Sequence, residues 1–417
     1  MFLFNTSCDR FLLRSEGAKN VMSHASTMQD LTSDRRSIVP VELRVCRFLG
    51  VGGIPARYKH LLDDASRRDF FLGLPWFTNF EQTIVSDKES VIVYGIEPME
   101  ESNHVFGAFP MWNRGSDEIL KPRVLQNLAN YYTPYCGPIL NEAHSTECIQ
   151  VFAHALSEDR RFFAAIDLRC LDPNEPTFLA LVRALSDIGL AVQTYFQFGN
   201  WYLEVAGRSY AEYFLSLPTV LRKNVPYQTR RLERTYRVEL KLITGSEGLA
   251  QALSDYELVY HTSWREQEAY PGFIRGLAET ALNSGSLRLG LLYADGVPVA
   301  AQFWLVHGSI ASIYKIAYIE SFSKFSVGTI LTAHMMRHVI DVDKVTIVDY
   351  LSGDDHYKRD WMSHRRERWG IMAFNLRSLS GLALAARHIG GRRLNDIFRK
   401  VKAMVSGKFL LGKVSVG

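Results

Sequence analysis

The sequence predicts a mixed α/β (α+β) protein, on three observations. Residues 41–205 alternate strand-like and helix-like segments. The second half runs as two helices, a three-strand meander, a helix, a strand, a short helix and a last strand. The 417 residues are 47% hydrophobic and 22% charged, an ordinary globular balance, and a chain of this length is expected to hold about two domains.

Composition narrows the function classes. A net charge of +4 over 417 residues does not by itself argue for nucleic acid. The five cysteines, Cys8, Cys46, Cys136, Cys148 and Cys170, are odd in number and scattered, with no CxxC pair. They read as buried or idle thiols in a reducing compartment, and no metal site is expected. No apolar run suits a signal-peptide core, and none reaches the roughly 20 residues of a membrane-spanning helix. The expectation is a soluble, cytoplasmic protein.

The elements follow in chain order. Residues 1–40, rich in Ser, Thr, Asp and Arg, read as a flexible leader. Residues 41–205 form the first domain. Phe70–Phe80 is dense in aromatics, Val91–Glu97 and Phe162–Leu168 have strand character, and Thr177–Gly189 has helical spacing. Val192–Phe198 and Trp201–Val205 read as a hairpin turning at Gly199 and Asn200.

Residues 206–245 form a basic helical connector with Arg222, Lys223, Arg230, Arg231, Arg234 and Arg237. These side chains read either as a solvated helix face or as a cationic wall for phosphate groups, which guanidinium forks pair well.

Residues 246–380 form the second domain. Leu249–Tyr260 and Pro271–Asn283 are predicted helices. Leu287–Tyr293, Val297–His307 and Ser309–Ile319 are predicted strands, the first two joined by a tight turn at Asp295-Gly296. A Ser/Gly loop precedes the helix Ile330–Ile340, and Lys344–Leu351 and Arg368–Leu376 are the last strands. In residues 381–417 the basic residues far outnumber the acids, and Leu394, Ile397, Phe398, Val401, Met404 and Val405 recur at helical spacing. This basic C-terminal helix reads either as packed on the domain or as resting on an anionic membrane surface.

The chemistry concentrates between Tyr314 and Asp360. Ser326, Val327, Gly328 and Thr329 stand where a helix begins. The first amides of a helix lack internal partners, and with the helix dipole they form an anion site. Gly328 permits close approach of a ligand to the backbone.

The stretches Tyr314–Tyr318, Phe325–Thr329, Asp349–Asp354 and Tyr357–Trp361, with the lead-in Tyr213–Arg234, resemble the acetyltransferase (GNAT) domain of the CelD/BcsL-like proteins associated with cellulose and polysaccharide biosynthesis. That family is similar in turn to the Fem-type transferases, which carry two GNAT-like domains in tandem. The resemblance implies tandem GNAT-like domains of mixed sheets flanked by helices. It further implies an acyl-CoA co-substrate whose pantetheine arm lies between splayed strands, with its pyrophosphate on the start of the helix after the meander. Ser326, Val327, Gly328, Thr329 and Lys315 are the expected cofactor-binding residues. The sequence departs from the usual phosphate loop, Gln/Arg-x-x-Gly-x-Gly/Ala, because Ser323 and Ser326 stand at two of its key places. That leaves room for a different activated donor.

An amine acceptor must lose a proton before it attacks a thioester, and a carboxylate or imidazole can take it. Asp349, at a strand end, is the first candidate base or acceptor-orienting group, with His356 as the alternative. Tyr357 and Tyr318 are candidate proton donors to the departing thiolate. Gln302, Trp264, Asp354, Lys358 and Trp361 are candidate substrate-binding residues, and Arg265 and Glu266 are expected beside the acceptor cleft.

Three functions fit. The first is acyl transfer from acyl-CoA to an amino or hydroxyl group of a sugar, polysaccharide precursor or small metabolite. The second is a Fem-like transfer from aminoacyl-tRNA. The third is a degenerate GNAT pair serving as a binding subunit of an envelope polysaccharide system, with the tail on the inner face of the membrane.

Overall fold

The structure, a computed structural model, describes residues 9–10, 42–100, 104–115, 122–263 and 265–390. The expected leader, apart from its two-residue strand, and the basic tail beyond Gly390 lie outside the described residues, as does Trp264.

The elements are β1 (Asp9–Arg10), β2 (Leu43–Leu49), α1 (Lys59–Arg68), α2 (Leu74–Ile84), β3 (Ser90–Pro98), β4 (Gly107–Arg114), β5 (Val124–Asn127), β6 (Ile139–Leu140), α3 (Ser145–Glu158), β7 (Ala165–Leu171), α4 (Pro176–Asp187) and β8 (Ala191–Glu204). They continue with α5 (Tyr210–Ser216), α6 (Thr219–Thr235), β9 (Val238–Ile243), α7 (Leu249–His261), α8 (Pro271–Asn283), β10 (Leu287–Ala294), β11 (Val297–His307), β12 (Ile310–Tyr318), α9 (Val327–Asp341), β13 (Ile347–Asp349), α10 (His356–Trp361), β14 (His364–Phe374) and α11 (Leu379–Ala385).

Among the described residues the strands join one mixed sheet in the order β1-β2-β3-β4-β5-β7-β14-β8-β13-β12-β11-β10-β9, with β6 beside β4. This order is a palindrome of two similar arms. In the N-terminal arm a meander, β3-β4-β5, leads through α3 to β7, which pairs with β5 in parallel. In the C-terminal arm the meander β10-β11-β12 leads through α9 to β13, which pairs with β12 in parallel.

The two longest strands hold the arms together. β14 pairs with β8 from His364↔Tyr202 to Phe374↔Ala191, and its other edge pairs with β7. The far end of β8 pairs with β13. Each arm's late strand therefore completes the other arm, and neither arm closes its sheet alone.

Helix α9 presents Ile330, Leu331, Met335, Met336, Val339 and Ile340 to the sheet, all buried. Full burial of such a side chain stabilises by about 1.5–3 kcal/mol. The sheet admits α9 closely because of Gly290, where a Cβ would stand 2.4 Å from the Met335 sulfur.

Two expectations need correction. The proposed hairpin at Gly199-Asn200 is instead one continuous strand, β8. Gly199 serves close approach rather than a turn, since a Cβ there would lie 2.8 Å from the side chains of Asp354 and Arg365. The basic connector, largely helical as α5 and α6, packs on the C-terminal arm. Tyr210, Tyr213 and Leu232 pack in the cluster around α9, and β9 pairs with β10. The strand expected over Lys344–Leu351 shortens to β13, because Lys344 and Leu351, at the two ends of that span, take left-handed φ values of 56° and 55°.

Candidate active site

β12 and β13 share three parallel rungs, Ile310↔Ile347, Ala311↔Val348 and Ser312↔Asp349, and then part. β12 continues along β11 to Tyr318, while the chain after Asp349 turns toward β8. A cavity of about 600 Å³ opens beside this gap, and its lining includes Tyr132, Tyr260, Glu268, Lys315, Tyr357 and Lys358. A β-bulge shapes its floor. Phe303 pairs with Lys315 and Trp304 with Ile313, so Tyr314 is the extra residue. Such a bulge re-aims side chains, and here the consecutive Tyr314 and Lys315 both line the cavity.

Glu268 is the electrostatic centre. One carboxylate oxygen accepts from Lys315 Nζ at 2.8 Å and the other from the Tyr132 hydroxyl. The Lys315 ammonium also lies 4.7 Å from the centre of the Tyr132 ring and 5.5 Å from that of Tyr260, a favourable cation–π setting. Burial holds the Lys315 pKa below the usual lysine value, against the opposing pull of Glu268. Burial also lowers the pKa of Lys358, whose Nζ donates to the Ser352 carbonyl at 2.5 Å. Desolvation, helped by nearby Asp355, pushes the Tyr357 hydroxyl up to about 12. Both tyrosine and lysine groups here are therefore shifted toward their neutral forms. The guanidinium of Arg265 donates to the Ile316 carbonyl (3.1 Å) on the parted stretch of β12.

The start of α9 lies just beyond the end of β12. The ladder of α9 begins with the Ile330 amide donating to the Ser326 carbonyl at 3.0 Å, so residues 327–329 precede it. No acidic residue stands in this first turn. Ser326 adopts φ 52° and its hydroxyl accepts from Asn224 Nδ2 at 3.4 Å. The Tyr318 ring packs over Gly328, where a Cβ would meet it at 3.0 Å. Helix α6 crosses nearby, with Arg231 donating to the Lys324 carbonyl (2.9 Å) and stacking over Phe325.

The structure thus gathers the expected residues into two places: Lys315, Tyr357 and Lys358 at the cavity, and Ser326–Thr329 with Tyr318 at the α9 start. Arg265 and Glu266 line the cavity as well. Lys315 faces Glu268, which separates it from the expected donor-binding set.

The remaining expected residues have other surroundings. Asp349 is 3% exposed, and its oxygens accept from Asn200 Nδ2 (2.5 Å), the Leu351 amide (2.6 Å) and Arg366. It borders a smaller adjoining cavity, not the large one. His356 opens α10 on the exposed surface. Asp354 is held by Trp201 Nε1 (2.6 Å) and Arg365 (2.8 Å). Gln302 is buried, donating to the Gly328 carbonyl and the Thr332 hydroxyl and accepting from Trp304. Trp361 is a core residue. Glu268, Tyr132 and Tyr260 escaped the sequence reading, because Glu268 and Tyr132 are 136 positions apart and no local spacing links them.

A family model described as an acetyltransferase (GNAT) domain matches residues 220–359, from α6 into α10. No curated protein matches the chain in sequence. Among solved structures, FemX is similar over 76% of this chain and 96% of its own, at 10% identity and a TM-score of 0.54. A tandem GNAT protein from the clavulanic acid biosynthesis pathway matches at 12% identity, covering 79% of this chain and 98% of its own, with a TM-score of 0.46. The L-PGS of Bacillus licheniformis matches at 11% identity, covering 81% and 97%, with a TM-score of 0.46. Identities this low speak to fold alone. Residues 220–359 therefore match a GNAT acetyltransferase domain, and the two-armed sheet is a fold shared with FemX. The domain matched over residues 220–359 is of the acyl-transferring GNAT type.

Among the described residues no helix is long and apolar enough to cross a membrane, and no cluster of three or more metal-ligating side chains occurs.

Proposed function

We propose that the protein transfers an acyl group from acyl-CoA to an amino or hydroxyl group of a sugar, polysaccharide precursor or small metabolite. The observation that carries this reading is the adjoining pair of features on β12: a cavity holding a carboxylate at its parted edge, and an acid-free helix start at its end. The residues suit a diphosphate-bearing donor. The amides of residues 327–329 stand in a first turn with no carboxylate, and Lys324 adds a positive charge in the turn just before it, which is the physics of an anion site at a helix start.

Acyl-CoA would supply an activated thioester carbonyl, and this chain's residues do the rest. Glu268 accepts the proton that the acceptor loses as its nitrogen or oxygen bonds to the acyl carbon. Lys315 holds Glu268 in place. As the carbon–sulfur bond breaks, the Tyr357 hydroxyl donates a proton to the departing sulfur. The phenol is held neutral by its surroundings, which suits it to that role. Asp349 and His356 are not the base on this reading. Asp349 instead fixes the end of β13 against β8 and β14 through Asn200 and Arg366, which keeps the gap open.

A second reading, an aminoacyl-tRNA donor, is favoured by the exposed face of α6. Lys223, Arg230 and Arg234 recur there at helical spacing, and the helix packs against α9. Release of free thiol from acetyl-CoA and from a long-chain acyl-CoA, measured against amino sugars, hydroxyl sugars and small amines, separates the two. Discharge of aminoacyl-tRNA with no turnover of any acyl-CoA would replace the first reading by the second.

A further inference from the structure

We infer that the N-terminal arm takes no acyl donor, and that the segment closing its groove has become a wall of the C-terminal site, leaving one donor groove per chain. The inference rests on the acyltransferase reading of the C-terminal arm.

The two arms begin alike. β5 and β7 share three parallel rungs, Val124↔Ala165, Leu125↔Ile166 and Gln126↔Asp167, as β12 and β13 do. Past the third rung they differ. In the N-terminal arm the side chain of Asn127 reaches across and imitates a further rung. Its Nδ2 donates to the Arg169 carbonyl at 2.9 Å and its Oδ1 accepts from the Arg169 amide at 2.8 Å. The chain then folds back into the gap. The Cys136 amide donates to the Cys170 carbonyl (3.0 Å), and the Cys170 thiol donates to the Thr133 carbonyl (3.0 Å). Leu128, Ala129, Tyr132, Thr133 and Cys136 are each at most 5% exposed, so this segment is packed core rather than a loop over an open groove. In the C-terminal arm the residue of the last rung, Asp349, turns its carboxylate toward Arg366 and Asn200, and the gap stays open.

Charge separates the arms independently. α3 occupies in the N-terminal arm the place of α9. Its approach carries Glu142, partly offset by Arg68, and its first turn carries Glu147. Carboxylates there oppose a phosphate-bearing ligand, whereas the first turn of α9 has none.

The closing segment also faces the other way. Tyr131, Tyr132 and Pro134 line the C-terminal cavity. The Tyr132 hydroxyl donates to Glu268, and its carbonyl accepts from the Tyr314 hydroxyl at 2.9 Å. The stretch that fills one groove therefore shapes the acceptor side of the other.

Amide hydrogen exchange on the full chain, with and without acetyl-CoA, tests the inference, with the number of CoA molecules bound per chain measured by equilibrium dialysis. Without ligand, residues 128–136 should exchange as slowly as β7. With acetyl-CoA, new protection should fall on residues 313–319, 326–330 and 350–358, with one CoA bound per chain. New protection at residues 141–148 or 165–171, or two CoA per chain, overturns it. So does ligand-free exchange of residues 128–136 at the rate of an open loop. If acetyl-CoA protects nothing, the acyl-CoA reading fails on its own, and the ligand-free rates still decide whether the N-terminal groove is filled.

Discussion

Replacing Glu268 by Gln should slow transfer far more than it unfolds the protein. The Glu268 and Lys315 side chains are 10% and 17% exposed and meet at 2.8 Å. Removing one partner of a fully buried pair costs about 3–5 kcal/mol. Here the pair borders an open cavity, and Gln keeps an acceptor for one of the two bonds, so a loss of about 1–3 kcal/mol is expected. The rate should fall further, by the roughly 10²–10⁴ attributed to a positioned base, equivalent to about 3–5 kcal/mol of barrier. Donor binding at the α9 start should be unchanged. Adding Lys315→Met to Glu268→Gln should recover much of the stability, since the unpaired ammonium is gone, yet none of the rate. Glu268 raises the Lys315 pKa against desolvation, so the single variant lowers it further. A folded-state lysine pKa below its unfolded value makes folding more favourable as pH rises through that folded pKa. The stability deficit of Glu268→Gln should therefore narrow on the alkaline side. Urea denaturation and thiol-release kinetics provide the two readouts. A variant that turns over like the native protein, or a double variant no more stable than the single, refutes the assignment of Glu268.

Three further outcomes are expected. Ser326→Gly should stabilise the chain by roughly 0.5–1 kcal/mol, because the left-handed φ of 52° costs a non-glycine residue about 1–2 kcal/mol, partly offset by the greater freedom of unfolded glycine; calorimetry showing a loss would contradict this. Burial raises the Asp69 pKa from 3.8 to about 6. A raised acid pKa makes folding more favourable below about pH 4, with that advantage lost as pH climbs through about 6, and at 1.36 kcal/mol per unit this amounts to roughly 2–3 kcal/mol. Asp69→Asn keeps the acceptor for the Phe71 amide and should be more stable than the native chain at pH 7 but not at pH 4, as checked by urea midpoints. Asp349→Ala removes the carboxylate from the partly exposed Arg366, which keeps its bond to Asn200, and from the Leu351 amide, and should lose about 1–3 kcal/mol by the same denaturation.

Local pattern made the C-terminal meander readable. Val297–His307 matches β11 residue for residue, because a tight turn and a long apolar run leave few alternatives. The helix read as starting at Ile330 begins at Val327, so Gly328 and Thr329 lie in its first turn rather than before it. The hairpin at Gly199 failed because a glycine inside a strand pattern signals either a turn or a close approach, and only the distant Asp354 and Arg365 decide between them. Glu268 stayed hidden for a similar reason. Its partners come from the segment closing the N-terminal groove and from the bulge at Tyr314, and neither is encoded near residue 268. The gathered charges of residues 206–245 were visible, but their packing on α9 through Tyr210, Tyr213 and Leu232 depends on the whole arm.

The central claim is that the donor docks where the parted β12 meets the start of α9. Thermal denaturation of the full chain with acetyl-CoA and with a long-chain acyl-CoA tests it, beside a Gly328→Val variant whose side chain would press on Tyr318. At about 100 times Kd a bound ligand stabilises by about 2.7 kcal/mol. For a chain of 417 residues, with an unfolding entropy of about 2 cal/mol/K per residue, that is a rise of roughly 3 °C in Tm. The account predicts this rise in the native chain with at least one of the two esters and its loss in Gly328→Val. An unchanged Tm with both esters, or a rise that survives the substitution, contradicts it.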